Sequence, residues 1–487
     1  MKPVLLIDFG STYTKVTAVD VDEAKLLGTS QSWTTIETDI NEGLNNAVAN
    51  LEKEIGNVEF AERYACSSAA GGLKIVSVGL VPELTAKAAK MASLGAGGKV
   101  LKSFAFELND DDGESIKQLK PEIILLVGGT DGGNTEVILH NAKVISEIEG
   151  DFAVIIAGNR NVGKECEDII SKSHKVYRCE NVLPKFDQLN IEPVQDQIRN
   201  IFLERIITAK GITQATSLVS GIVNPTPAAV LRGIKLLADG TKDEEGIGEL
   251  LAVDVGGATT DVYTVCSGKP TKGNTIYKGI PEPYAKRTVE GDIGMRYSIH
   301  GIVEAAGVDR VSEISGLRIP EVEEMVDHLS SNTEEVPNDD KTENLDFALA
   351  SMAIDTAVDR HAGTLEEVFT AIGSTYMQTG KDLSNVKRII VTGGSLIHTK
   401  RTDEIAANAL FTLTSPNSLR PMSADVFVDR KYIIASMGLL SEHYPDVALK
   451  ILKDNLENLG TVKTKAQINE ASQDDFVPMT DSGCHGM

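Results

Sequence analysis

The 487-residue chain has no apolar run near the roughly 20 residues that span a bilayer. Nothing at its start reads as a secretory leader, because the apolar stretch at 4–7 is short and leads into a charged motif. Cysteine is scarce: Cys66, Cys166, Cys179, Cys266 and Cys484 are odd in number and scattered, with no pair at zinc-site spacing. That usage excludes a disulfide scaffold and suits a reducing, cytoplasmic setting. Cys484-His485 sits in a polar tail and reads as a frayed terminus rather than a metal site. Positive charge is also in short supply, with 47 Lys and Arg against 71 Asp and Glu, a net charge of −24. That balance argues against nucleic-acid backbones and anionic membranes as partners. A chain of this length with 41% hydrophobic residues is globular and too long for one core, so two or three domains are expected.

Against that background, residues 250–265 stand out: LLAVDVGGATTDVYTV. An apolar run delivers Asp254 to a turn made by Gly256, Gly257 and Ala258. Thr259, Thr260 and Asp261 then open a second β-rich run. Strand, glycine turn, strand is a hairpin with little side-chain bulk at its tip. Bare backbone N–H groups there can close on phosphate oxygens, the threonine hydroxyls can add donors, and the aspartates can hold Mg²⁺. Residues 4–15, VLLIDFGSTYTK, repeat the order: apolar strand, Asp8, Gly10, then Ser11, Thr12, Tyr13, Thr14 and Lys15. One such hairpin is a weak signal. Two of one design predict two similar half-domains facing each other across a nucleotide cleft.

Between the hairpins, strands and helices alternate at a spacing that predicts a small parallel-sheet layer over 66–187. Its glycine loops, TDGG at 130–133 and GNRN at 158–161, lie where such sheets bind ligands and could equally be tight turns. Near residue 226, Pro227 suits a first helical turn with Thr226 as its N-cap. After the second hairpin, Gly291-Asp292 is expected to open a helix, and helices alternate with acidic loops to about residue 380. KRIIVTGGSLIH at 387–398 is a strand ending in Gly393, Gly394 and Ser395, where bare backbone can approach a flat ring or a phosphate. A terminal helix is expected to about residue 459. The boundaries read as 1–65 plus 188–240 for one half-domain, 66–187 for an insertion and 241–435 for the second half-domain. Returning and terminal helices follow at 436–460, then a polar tail at 461–487.

These motifs stand in the order of the actin-like ATPase superfamily. Residues 8–13 resemble its first phosphate motif and 254–261 its second; 390–395 resemble the adenosine motif, and 224–230 and 435–440 the connecting helices. The stretches SSAAGGLKIVSVGLVPELT, LLVGGTDGGN, AGNRNVG, VEGDIGMR and VTGGSLI resemble a narrower group, the GlmL/MutL family associated with glutamate mutase and similar adenosylcobalamin enzymes. The resemblance implies an α/β protein of two RNase H-like half-domains around a cleft, with an inserted α/β unit. It implies a Mg-dependent ATPase acting as a reactivating chaperone, whose partners are adenosylcobalamin-dependent mutase subunits. A homo-oligomer stays open.

On this reading Asp8 and Asp254 hold Mg²⁺, Lys15 reaches the phosphates, and Asp261 orients water or the metal shell. Gly10, Ser11, Thr12, Tyr13, Gly256, Gly257, Ala258, Thr259, Thr260, Gly393, Gly394 and Ser395 cradle ATP. Arg296 and Arg360 read as ion-pair or surface residues. One departure matters: where DnaK-type chaperones carry a glutamate at the start of the connecting helix, this chain has Asn224. Asn cannot take a proton, so slow hydrolysis is expected unless another carboxylate serves. A small-molecule kinase, a nucleotide-gated scaffold and a hydantoinase-like subunit remain rival readings.

Overall fold

The computed structural model describes residues 2–10, 13–35, 40–68, 73–209, 223–370 and 373–464. Strand β1 (Pro3–Phe9) lies at the centre of its sheet, and its apolar run leaves little of it to solvent. β2 (Tyr13–Asp20) and β3 (Lys25–Trp33) pair antiparallel outward from it, while β4 (Glu62–Ser67) and then β10 (Val223–Pro225) pair parallel on the other side. The second half repeats the plan. β11 (Leu250–Val255) is central, β12 (Thr260–Val265) and β14 (Ala285–Glu290) extend one side antiparallel, and β17 (Arg388–Thr392) and β18 (Ser423–Val428) extend the other parallel. One design has therefore been built twice, as the paired hairpins predicted.

Two helices join the copies, Thr226–Asp239 and Ile434–Leu440, and they cross with backbone against backbone. A Cβ on Gly233 would land on the Ile434 carbonyl, and one on Gly438 on the Ala229 carbonyl. Only glycine allows that approach. The helices bring Ala229, Ile234, Ile434 and Met437 into one buried cluster with Val4 and Leu6 of β1 and Leu250 and Ala252 of β11. Each Val, Leu, Ile or Met side chain here contributes about 1.5–3 kcal/mol on leaving water, so the two sheets share a core through these helices.

The expected inserted layer is a five-stranded, all-parallel sheet ordered β6-β5-β7-β8-β9. Its strands are β5 (Lys74–Gly79), β6 (Lys99–Ala105), β7 (Ile123–Leu126), β8 (Ala153–Ile156) and β9 (Lys175–Arg178), with helices in the crossovers. The TDGG and GNRN loops lie at its carboxyl ends, tied together by Asn159, which donates to the Gly133 and Asn134 carbonyls and accepts from Gly132 N–H.

The structure corrects four expectations. Gly291-Asp292 opens no helix; β14 ends at Glu290 and the next helix is Ile299–Ala306. The chain between folds back, because Gly294 packs on Ala258 and Gly301 on Asp292 where a Cβ would collide. β15 (Thr364–Thr370) and β16 (Gly373–Thr379) stand where helices and loops were expected, and with β13 (Thr275–Lys278) they make a three-stranded sheet. At the end, the last helix is Pro445–Asn455, and β19 (Glu457–Lys463) follows as an edge strand antiparallel to β18. That strand runs across the boundary placed at 460. Thr226 is not an N-cap either: it lies inside the helix and its hydroxyl donates to Asp8.

Candidate functional site

Register puts the site together. In the first sheet Asp8 lies opposite both Cys66 and Lys15, and Cys66 opposite Asn224, so the four form one row across four strands. In the second sheet Asp254 lies opposite both Asp261 and Thr392. Both rows sit at the mouths of their hairpins, beside the glycines. Gly10 N–H donates to the Tyr13 carbonyl at 3.0 Å, and Gly256 N–H to the Thr259 carbonyl at 2.9 Å. Gly257 and Ala258 form the exposed tip of the second turn. Ser11 and Thr12 lie outside the described residues; Tyr13 stacks on Trp33 with ring centroids 4.4 Å apart.

The rows converge on Lys15. Burial lowers its pKa, while the charges of Asp8, Asp254 and Asp429 push it back up. Its Nζ lies 3.2 Å from the centre of the Tyr432 ring, and the Tyr432 hydroxyl donates to Asp254 Oδ1 at 3.2 Å. Asp8 accepts from the Thr226 hydroxyl at 2.6 Å and from Cys66 Sγ at 3.4 Å. Burial, with Asp8 alongside, drives the Cys66 thiol well above its usual pKa. Asp254 is pushed up to about 6, first by desolvation and then by the negative charge of Asp261. The carboxylates are thus crowded around a single ammonium. Asp8 and Asp254, far apart in sequence, both act on the Lys15 ammonium.

Not every predicted residue plays the expected part. Thr260 is fully buried and its hydroxyl donates to the Ile293 carbonyl at 3.0 Å, so it adds no donor at the tip. Thr259 stays on the open side, its hydroxyl 3.4 Å from Asp261 Oδ2. Asp261 Oδ1 is held by Arg287, at 2.7 Å from Nε and 2.6 Å from Nη2, leaving Oδ2 as its available oxygen. Gly393, at φ 107°, packs under the Val255 carbonyl, while Gly394 faces open space at the start of the Gly394–Ile397 helix. Ser395 is partly exposed beside it. Asn224 is buried and its Nδ2 donates to Glu442 at 2.9 Å; Glu442 also pairs with Arg232. Arg296 forks onto Asp346 at 3.0 and 2.8 Å, and Arg360 pairs with Glu290, the structural roles expected of both.

Asp429 and Tyr432 belong to this site although neither lies in a glycine motif of the sequence. Asp429 follows β18 and accepts from the Ile433 and Ile434 N–H groups at 3.0 Å each, capping the second connecting helix. Burial raises its pKa although those amides oppose the rise. Tyr432 has a left-handed backbone, φ 58°, in the turn between that aspartate and the helix. The available signal was an apolar strand run ending in Asp just before small helical residues. Among the described residues, no group of three or more His, Cys, Asp or Glu side chains is placed to hold a metal ion.

A duplicated five-strand plan, joined by crossed glycine helices and tipped on each side by an aspartate-bearing glycine hairpin, is an actin-like ATPase fold. A family model described as MutL protein matches residues 4–456. The chain is also 45% identical to Protein MutL of Clostridium tetanomorphum over 459 residues, covering 94% of this chain and 99% of that one. The chain belongs to the MutL family. Among solved structures, a xylulose kinase from Lactobacillus acidophilus aligns at a TM-score of 0.37 and 10% identity, over 97% of this chain and 96% of its own. An activator of the 2-hydroxyisocaproyl-CoA dehydratase from Clostridium difficile, with bound ADPNP, aligns at 0.29 and 10% identity, over 93% of this chain and 97% of its own.

Proposed function

We propose that this protein is an ATP-dependent reactivating chaperone for an adenosylcobalamin-dependent mutase of the glutamate mutase type, working in the cytoplasm. The observation that carries the nucleotide reading is the meeting of Asp8 and Asp254 at Lys15, beside two glycine turns of one design. The mutase reading rests on family membership and on the sequence motifs above. No helix among the described residues is long and apolar enough to cross a membrane.

The donor set fits Mg²⁺: Asp8 and Asp254 offer hard carboxylate oxygens, and Asp254, raised first by desolvation and then by the charge of Asp261, sits in a negative field that a divalent cation relieves. Mg²⁺, when bound, neutralises phosphate charge. Lys15 would pair with the phosphates, and backbone at Gly10, Gly256, Gly257 and Ala258 would line their path. Gly394 and Ser395 would receive the adenosine side. Asp261 would orient water through Oδ2, with Oδ1 fixed by Arg287. Catalysis of this kind comes from positioning and charge stabilisation.

The test takes a glutamate-mutase-type enzyme blocked with an inert cobalamin, together with this protein, Mg·ATP and fresh adenosylcobalamin, and measures recovered turnover. Wild type restores activity; Asp254→Ala restores none and binds Mg·ATP about 100-fold more weakly in calorimetry. Equal recovery by both proteins would falsify the role assigned to the hairpins. The engagement of Asn224 by Glu442 favours one alternative, a nucleotide-gated scaffold, since among the described residues the carboxylate beside Asn224 is itself tied up with Arg232. Tight ATP binding without turnover would distinguish it.

A further inference from the structure

Arg287 connects places that the chain keeps far apart. It projects from β14, with a side chain only 5% exposed, and holds Asp261 of the second hairpin through Nε and Nη2. Its Nη1 donates to the Leu94 carbonyl at 2.9 Å. Leu94 lies in the last turn of the Lys87–Gly95 helix, which belongs to the inserted unit between β5 and β6. Just past the helix end, Gly97 (φ 84°) packs so closely on the first half that a Cβ would sit 2.7 Å from Pro225. Pro225 precedes Thr226, which donates to Asp8. The C-terminal end of one helix of the inserted unit therefore touches Arg287, the partner of Asp261, and lies one residue from Thr226, the partner of Asp8.

A second contact ties the start of the same helix to the second half. Lys87 pairs with Glu282 at 2.7 Å, and Lys286 of β14 pairs with the same carboxylate at 3.2 Å; Glu282 is 4% exposed. A rotation of one half-domain against the other must break these buried charged contacts or carry the helix with it. Parting Arg287 from Leu94 would strand a buried guanidinium N–H. Carrying the helix along would part Gly97 from Pro225. Either motion changes how the inserted unit packs against one half or the other.

We infer that Arg287 couples nucleotide held at the second hairpin to the seating of the inserted unit, by gripping Asp261 and the Leu94 carbonyl at once. The inference rests on the nucleotide reading above and adds to it a route by which the cleft governs the inserted unit. Arg287 is a positioning residue, since it reaches the reaction only through Asp261. The coupling is reciprocal: whatever docks on the inserted unit and shifts this helix changes ATP affinity by the same factor.

The test is amide hydrogen exchange on the full chain at residues 96–98, with and without Mg·ATP, alongside calorimetry. These amides donate to the Ala92, Leu94 and Ser93 carbonyls and so report the helix end directly. Wild type should show about a tenfold difference in exchange between the two conditions. Arg287→Lys keeps a cation beside Asp261 but lacks the fork. It should bind Mg·ATP within about threefold of wild type while losing the difference. A merely structural arginine would give faster exchange in both conditions with the difference intact, which overturns the proposal. Wild type alone also decides. Mg·ATP uptake without any exchange difference overturns the coupling, and no uptake overturns the nucleotide reading and the coupling with it.

Discussion

In the first hairpin the residue opposite the strand aspartate is Lys15; in the second it is Asp261. The difference continues along both rows. Cys66 in β4 occupies the place that Thr392 takes in β17, and Asn224 the place of Asp429, which follows β18 one residue beyond the Val391–Val428 pairing. The halves thus share backbone geometry and differ in charge. The first brings one carboxylate and the ammonium; the second brings three carboxylates and passes the charge of one, Asp261, to Arg287. Duplication supplies two facing cradles, and substitution within them makes the cradles complementary. Lys15 is the piece that the second half lacks.

The largest effect should come from removing that piece. Lys15→Ala leaves Asp8, Asp254 and Asp429 without their shared cation. Stripping one partner from a buried charge cluster costs about 3 kcal/mol. Chemical denaturation at pH 7 should show a loss of that size, and the loss should shrink at pH 5, where Asp254 is protonated and there is less negative charge to balance. A loss below about 1 kcal/mol would mean that the halves are not joined electrostatically, and the comparison above would fail.

Next in size is the pH dependence of Mg·ATP binding. With Asp254 titrating near 6, most of it is ionised at pH 7 and most protonated at pH 5. Metal binding needs the ionised form, so affinity falls as pH falls through 6, by about tenfold between pH 7 and pH 5. Calorimetry across that range checks it. Asp254→Asn should flatten this part of the profile, whereas Asp8→Asn should lower affinity at every pH and leave the slope near 6 in place.

The hairpins were legible because their physics is local: an apolar strand, an aspartate and glycines within a dozen residues, found twice. The connecting helices were legible through the motif order, whereas their crossing at Gly233 and Gly438 is set by tertiary packing. The Thr260 error was avoidable. In a strand, alternate side chains face opposite ways, so Thr260 must point away from Asp261 and toward the core under Ile293. Arg287 was beyond reach, because its partners Asp261 and Leu94 are chosen by strand register and by docking of an inserted helix 193 residues away. The sheet of β13, β15 and β16 escaped because its burial pattern mixes exposed and intermediate positions and carries little hydrophobic alternation.

The smallest predicted effect tests the comparison at its edge. Two residues beyond Lys15 in β2 stands Thr17; two beyond Asp261 in β12 stands Tyr263, which is buried and bulky. The first half places a hydroxyl there: Thr17 Oγ1 lies 3.0 Å from Ser436 Oγ of the second connecting helix, and both residues are buried. Thr17→Val keeps the shape and removes the bond, which should cost about 1 kcal/mol, and Ser436→Ala about the same. Because each single change breaks the same bond, the double variant should cost less than the sum by about 0.5–1 kcal/mol. Additive costs would show that β2 seats the helix by packing alone, as the bulk of Tyr263 suits β12 to do. A positive coupling would show that the first half holds its connecting helix by a polar bond that its twin has replaced with volume.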